Sequence, residues 1–409
     1  MNMYTAIELG TNSIKVLVAN KANKNNDKFD VIAIEEVKTI GMKKGSIINS
    51  KIVSQDLSEC IKKIEKKLST SIKKAILAIA PKDIIFNITD SEIDIDEEVS
   101  GDDISNLIKQ SMEKSDKFDY ELITSSPIGF KLDNNKVVDD PKGYNCSKLS
   151  SKIVNTYISR KELYNILDVF KICDISVIDI VFKPIADYFE IHNKSIDNEL
   201  GVIINMGEDS TCISLHNKSI MIKCSTLDIG SVHIDHDISY IYKTNLKESR
   251  KLKENFALAS TRYADKYDEI EAVNEEKKKI KINQYDITEV VEERLKEILK
   301  ICKKEIKNLT NREISYIIIL GGLSDTTGFQ YLVDDILGKK AIVYNSTTIG
   351  MRHNKYTTVM GTVKYFDDKL VLRGKEYNMF DTYDIEKIIN KDELENDAVI
   401  DEMFGQFNN

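Results

Sequence analysis

The stretch Ile203–Leu215, IINMGEDSTCISL, is two short apolar runs around a polar turn that keeps one glycine. Such a strand–turn–strand can hold phosphate, because glycine lets backbone N–H groups meet an anion with no side chain in the way. Here Glu208 and Asp209 follow Gly207, and carboxylates facing a phosphate weaken binding unless a divalent cation sits between them or they point outward. Backbone and hydroxyls at Gly207, Ser210 and Thr211 can still reach a phosphate, so the turn is either a phosphate site or the relic of one. The layout recurs near the start, where Thr5–Leu9 and Ile14–Ala19 flank Gly10-Thr11-Asn12-Ser13. The two hairpins lie about 200 residues apart, and each opens a run of strands followed by helices, the pattern of a duplicated α/β domain.

At 409 residues the chain is too long for one ordinary core. Its 58 basic and 67 acidic residues give a net charge of −9, which argues against a general nucleic-acid binder. Six cysteines without a CxxC pair read as reduced and buried, in keeping with a cytoplasmic protein. Glu8 interrupts the first apolar run before a secretory core could form, and no run of about 18 uncharged apolar residues suggests a membrane span. Membrane contact is therefore expected to be peripheral.

Within the first hairpin's block, Val53, Leu57, Ile61, Ile64 and Leu68 define one face of an amphipathic helix. From about 82 to 160 the chain alternates strands and polar turns around a charged helix, DDISNLIKQSMEK, as an inserted small α/β subdomain would. Ser159 and Glu162 have capping-box spacing ahead of an apolar helical stripe ending at Cys173. After the second hairpin comes a charged, mostly helical block, about 232–310, in which EEKKKIKIN reads as an exposed hairpin. The long amphipathic helix ITEVVEERLKEILKIC follows, then the buried strand YIIILGG, and YTTVMGTVKYF closes the core. Residues 376–409 carry ten acids against two lysines and are expected to form a flexible tail.

Three places offer chemistry. In IELGTNSIK, Gly10 lets the backbone turn toward a ligand, Thr11, Asn12 and Ser13 offer donors, Lys15 offers charge, and Glu8 could hold a metal-bound water; an ordinary hairpin turn explains the same residues. In IIILGGLSDTTGF, Gly321 and Gly322 stand between a buried strand and a helix, where an anion or ribose is attracted, though close strand–helix packing also demands glycine. The opening turn is the third. His233 and His236, with Asp235 and Asp237, have ligand spacing but no third distant ligand, so a polar helix start is the preferred reading.

The order hairpin, hairpin, strand-GG-helix resembles the actin/Hsp70/sugar-kinase superfamily, and over about residues 4–366 it is most similar to the FtsA family of bacterial cell-division actin homologues. IELGTNSIKVLVAN resembles the family's first phosphate loop, GMKKGSIIN its G-M-x-K-G segment, and LGGLSDTTGF its adenosine motif. STLDIGSVHIDHDIS with ESRKLKENFALA resembles the stretch after the second phosphate loop, and YTTVMGTVKYF the closing motif. The resemblance implies an actin-like (ribonuclease H-like) two-lobed α/β fold with duplicated halves and an FtsA-type inserted 1C subdomain. The expected divisions are 1–81 with 161–199 (lobe 1 core), 82–160 (1C), 200–231 with 311–375 (lobe 2 core), 232–310 (2B) and the tail. It also implies ATP with Mg²⁺, Gly10, Thr11, Asn12, Ser13 and Lys15 facing the phosphates, and Lys253 with Gly321 and Gly322 facing the adenosine. The implied partners are the C-terminal peptide of FtsZ, further copies of the chain in a homopolymer or dimer, and the inner face of the cell membrane at the division site.

Departures from the family pattern bear on activity. Against the second phosphate loop D-I-G-G-G-T-T-D this chain reads N-M-G-E-D-S-T-C: Asn205 and Cys212 replace acids, and Glu208 and Asp209 replace glycines. Lys183 stands where a carboxylate before proline orients the attacking water in relatives that hydrolyse ATP, and Arg250 where an acid is usual near the adenosine. A lysine is a poor base there unless strongly desolvated. The expectation is a scaffold with weak or absent hydrolysis; the alternatives are an active ATPase with unusual Mg²⁺ ligands and a PilM-type pilus-assembly scaffold. In the tail, VIDEMFGQF (399–407) has apolar residues at helical spacing, but its polar side carries Asp401 and Glu402, which an anionic membrane repels.

Overall fold

Short, almost wholly buried apolar strands joined by a four-residue polar turn make antiparallel hairpins at both expected places. The computed structural model describes residues 2–21, 28–81, 83–113, 119–133 and 135–388. The chain divides into unit 1 (Met1–Phe182, Thr348–Gly350 and Thr362–Asn409) and unit 2 (Lys183–Thr347 and Met351–Gly361).

In unit 1, β1 (Asn2–Leu9), β2 (Ser13–Lys21) and β3 (Phe29–Lys38) form an antiparallel meander. The small hairpin β4 (Met42–Lys43) and β5 (Ser46–Ile47) lies within the GMKKGSIIN segment and leads into α1 (Ser50–Leu68). Asn49 caps α1 by accepting from the Ile52 N–H, and the face predicted from spacing (Val53, Leu57, Ile61, Ile64, Leu68) is the buried one. Strand β6 (Lys74–Ile79) then joins parallel to β1.

The inserted part holds β7 (Ile84–Asp94), α2 (Gly101–Glu113), β8 (Tyr120–Pro127), β9 (Phe130–Lys131), β10 (Val137–Val138) and β11 (Lys148–Ser159). Its sheet runs in the order β10-β9-β11-β7, with β8 also on β11. It has its own core, in which Ile104, Leu107 and Ile108 of α2 pack with Phe130, Leu149 and Ile153. After α3 (Arg160–Ile172), β12 (Ser176–Phe182) completes the first sheet, ordered β12-β6-β1-β2-β3.

Unit 2 repeats this plan. It begins with α4 (Lys183–Ile191), and β13 (Leu200–Met206), β14 (Thr211–Asn217) and β15 (Ile220–Leu227) form its meander. Next come α5 (Ser231–Tyr242), α6 (Leu246–Asn255), the hairpin β16 (Glu269–Val273) with β17 (Lys279–Asn283), and α7 (Gln284–Leu309). Then β18 (Tyr316–Leu320), α8 (Phe329–Ile336), β19 (Ala341–Val343) and α9 (Thr357–Leu372) follow. The sheet order β15-β14-β13-β18-β19, with β18 parallel to β13, is the same topology as in unit 1. The amphipathic helix expected from ITEVVEERLKEILKIC is α7, and its apolar side (Ile287, Val291, Leu295, Ile298, Leu299, Cys302) is buried in the core of this unit. The EEKKKIKIN segment lies in the β16–β17 hairpin, with Lys279 paired to Glu271 and Lys281 to Glu269.

Four local expectations are corrected. Ser159 precedes α3 without a side-chain cap bond, because Glu162 accepts from the Ser46 hydroxyl at 2.5 Å instead. Helix α4 clusters with unit 2 rather than with lobe 1, since Tyr188 and Ile191 pack with Ile203 and Leu320. From Thr362 onward, α9 belongs to unit 1, where Tyr365 hydrogen-bonds Thr124 and Asp367 pairs with buried Lys21. The acidic segment is also held further than composition suggests. Met379, Phe380 and Ile388 are buried, the Met379 N–H donates to the Met3 carbonyl, and Asp384 accepts from Thr70. The VIDEMFGQF stretch lies outside the described residues.

Candidate functional site

The two hairpin turns are congruent. Leu9 pairs with Ile14 and Met206 with Thr211, so each loop has four residues, Gly10–Ser13 and Gly207–Ser210. In each, the glycine N–H donates to the serine carbonyl, at 2.8 Å for Gly10 and 3.0 Å for Gly207. A Cβ on Gly10 would lie 2.6 Å from Ser13 O, and one on Gly207 2.9 Å from Ser210 O, so both turns need glycine for close backbone approach. The alignment sets Glu208 opposite Thr11 and Asp209 opposite Asn12.

In unit 1, register places Glu8 directly across from Lys15, and their side chains form a buried ion pair at 3.0 Å. The charge expected to face phosphate is thus neutralised by the carboxylate expected to hold a metal-bound water. Ser13 is buried, Thr11 and Asn12 are half-buried, and the Asn12 carbonyl accepts from the Thr39 N–H.

In unit 2, the turn is docked on the start of α5. The N–H groups of Ser231 and Val232 donate to the carbonyls of Gly207 and Glu208, which uses the helix-terminal donors that would otherwise attract an anion. A Cβ on Gly230 would sit 2.4 Å from Glu208 O, so the close fit requires glycine. The Thr211 hydroxyl donates to the Ile229 carbonyl at 2.8 Å.

Above this turn runs a chain of charges. The Arg250 guanidinium on α6 hydrogen-bonds the Glu208 carboxylate and reaches Asp235 Oδ2 of α5 at 3.3 Å. Lys253, also on α6 and buried, lies 2.6 Å from Asp235 Oδ1 and donates to the Ser231 carbonyl. Burial opposes the Arg250 charge, but Glu208 and Asp235 overcome it and raise the guanidinium pKa. Lys253, expected to face the adenosine, is therefore engaged inside unit 2. Asp237 is held by Arg294 through two hydrogen bonds, and His233 Nδ1 meets the Gly230 backbone, so HIDHD is a charged helix start. Among the described residues no group of three or more His, Cys, Asp or Glu is arranged to hold a metal ion.

Asn205 and Cys212, which replace acids, sit beside a carboxylate that pattern reading missed. Asp187 of α4 is buried and accepts from Asn205 Nδ2 at 2.8 Å and from the Thr358 hydroxyl at 2.6 Å. Burial, Cys224 and Asp187 push the Cys212 thiol up, so it is protonated at neutral pH. Asn205 turns its amide nitrogen to Asp187 and Cys212 carries a protonated thiol, so neither supplies the carboxylate that Mg²⁺ prefers, and the carboxylate beside them, Asp187, is engaged by Asn205 and Thr358. The sequence carries no local signal for Asp187: α4 buries Pro184, Ala186, Tyr188 and Ile191 together with Asp187 and Glu190, and only that burial demands partners for the two carboxylates.

In the third glycine turn, Gly321 is fixed by close packing. Gly321 has φ +95° and ψ +165°, and a Cβ there would lie 2.5 Å from Met206 O and 2.6 Å from Asn205 Oδ1. Gly322 is roomier, with Lys355 Cβ at 3.4 Å. Asn354 braces the turn by donating to the Ser324 hydroxyl and the Tyr344 carbonyl, while its N–H reaches the Asp325 carboxylate.

Comparison with known proteins bears on this arrangement. The family model described as Cell division protein FtsA matches residues 202–361, and that of the SHS2 domain inserted in FtsA matches residues 82–156. Cell division protein FtsA of Streptococcus pneumoniae serotype 2 (strain D39) is 24% identical over 372 residues, covering 88% of this chain and 79% of that protein. The Bacillus subtilis (strain 168) protein of the same name is 22% identical over 381 residues, covering 91% and 86%. Among solved structures, a PilM–PilN type IV pilus biogenesis complex chain gives a TM-score of 0.58 at 12% identity, over 89% of this chain and 98% of that one. MreB5 of Spiroplasma citri bound to ADP gives 0.55 at 11% identity, over 91% and 98%. The structural likenesses establish an actin-like fold and nothing narrower. The two FtsA models together match more than half of the chain, and relatives of that name align over about nine-tenths of it, so the chain belongs to the FtsA family.

Proposed function

We propose that this chain is a cell-division scaffold that joins FtsZ filaments to other division components, associates with its own copies, and binds ATP without turning it over efficiently. The family membership carries the scaffold reading, above all the match of residues 82–156 to the domain that FtsA carries inserted. That match also favours this reading over a pilus-assembly role. Nucleotide binding rests on the two congruent glycine turns and on the similarity to a fold solved with ADP in MreB5. Gly10, Thr11, Asn12, Ser13, Gly207, Ser210 and Thr211 would supply donors from the turns. Lys15 and Lys253 would contribute charge only by exchanging their present partners. A Mg²⁺ ion would come with the nucleotide, held by phosphate oxygens and water.

Weak hydrolysis follows from residue chemistry. Lys183 cannot accept a proton from water as a carboxylate does, and neither Asn205 nor Cys212 restores the missing negative charge. No helix among the described residues is long and apolar enough to cross a membrane. A pull-down with an immobilised FtsZ C-terminal peptide tests the scaffold reading. The full chain is expected to be retained over a scrambled peptide, and equal retention on both would sink the partnership.

A further inference from the structure

We infer that Glu208 is an internal anion that competes with nucleotide phosphate for Arg250, and so sets the affinity of the second hairpin for its ligand. The inference rests on the reading that the chain binds nucleotide, and it assigns to this residue pair the control of that binding. Three observations carry it.

The two hairpin turns are congruent, yet only the second places a carboxylate at its second position, where the first has Thr11. That carboxylate does not simply face solvent: it is engaged by a guanidinium 42 residues further along the chain. A guanidinium presents a planar fork of donors that suits phosphate and carboxylate alike, so the two anions are direct rivals for it.

Arg250 is also held from behind. Asp235 is buried and engages both Arg250 and Lys253, and those two cations are matched by two carboxylates. In this state the cluster presents no net positive charge to an incoming phosphate. Removing Glu208 alone changes that balance by one unit while Asp235 keeps Arg250 in place. The third observation is that the Gly207 and Glu208 carbonyls already accept from α5, so the turn keeps its backbone conformation without help from the Glu208 side chain.

The test is calorimetric titration of the full chain with MgATP, for wild type, Glu208→Gly, Glu208→Gln and the double variant Glu208→Gly/Arg250→Gln. Unmasking a positive charge within reach of phosphate is expected to tighten binding about tenfold or more in both single variants, with a steeper loss of affinity on raising salt. The double variant is expected to lose that gain. Unchanged or weaker binding in both single variants, with melting temperatures near wild type, overturns the inference. Wild-type binding separates the two claims. If wild type fails to bind and Glu208→Gly binds, the competition stands and nucleotide binding by the natural chain falls. If no variant binds, both fall.

Discussion

Replacing Gly321 by alanine is expected to remove about 3 kcal/mol of stability or more with no nucleotide present. At φ +95° and ψ +165° the backbone lies in a region that only glycine enters freely, where another residue costs about 1–3 kcal/mol. A Cβ would in addition press within 2.5 Å of Met206 O and 2.8 Å of Met206 N, backbone atoms of the second hairpin that have nowhere to go. Overpacking of that kind costs about a further 1–3 kcal/mol. For a unit of this size the melting temperature should fall by about 6–12 °C. Gly322→Ala is the control: its Cβ would make only a close contact with Lys355, and the loss should stay under about 1 kcal/mol. Differential scanning calorimetry of both variants decides the matter. Wild-type melting of Gly321→Ala would show that this glycine is kept for a ligand and not for packing.

The second large effect is expected from Asn205→Asp, which restores an acid at the position where the family pattern has one. In this chain the amide nitrogen donates to the buried Asp187 carboxylate at 2.8 Å, and the substitution would set two carboxylates against each other. The pair cannot hold both charges cheaply, so one pKa in the folded state rises above its unfolded value near 4. The sign follows from proton linkage. The penalty is full above the raised pKa and fades as pH falls through it, because the folded state then keeps the proton that relieves repulsion. A loss of about 2–3 kcal/mol at pH 7.5, shrinking toward pH 5, is expected in thermal melts across that range. A pH-independent difference would contradict the account of Asn205 as a partner of Asp187.

These expectations mark where sequence reading stopped. The hairpins, the α1 face, the amphipathic helix α7 and the inserted block were legible because apolar spacing and turn residues act locally. The identity of Arg250 as the partner of Glu208 was not, although both residues stood out as departures, since 42 residues separate them and only the α5–α6 packing brings them together. Asp187 was hidden because a carboxylate in a short helix reads as surface until the helix is seen to bury both flanks. In the sequence Lys15 stands as a charge available to phosphate, and only the strand register, which sets it against Glu8, reveals its present partner. The acidic composition after residue 376 pointed to a free tail, yet Met379, Phe380 and Ile388 supply enough apolar surface to hold the segment as far as residue 388. Burial of a few side chains outweighed the composition of the whole stretch.

The central claim is that the second half keeps the architecture of a phosphate hairpin without its hydrolytic chemistry. Single-turnover phosphate release, with the full chain in excess over MgATP, tests it most directly. The account predicts that ATP bound to the protein stays intact over many minutes, with release close to the protein-free rate. Rapid release of one phosphate per bound ATP, abolished by substituting Asn205 or Lys183, would contradict it.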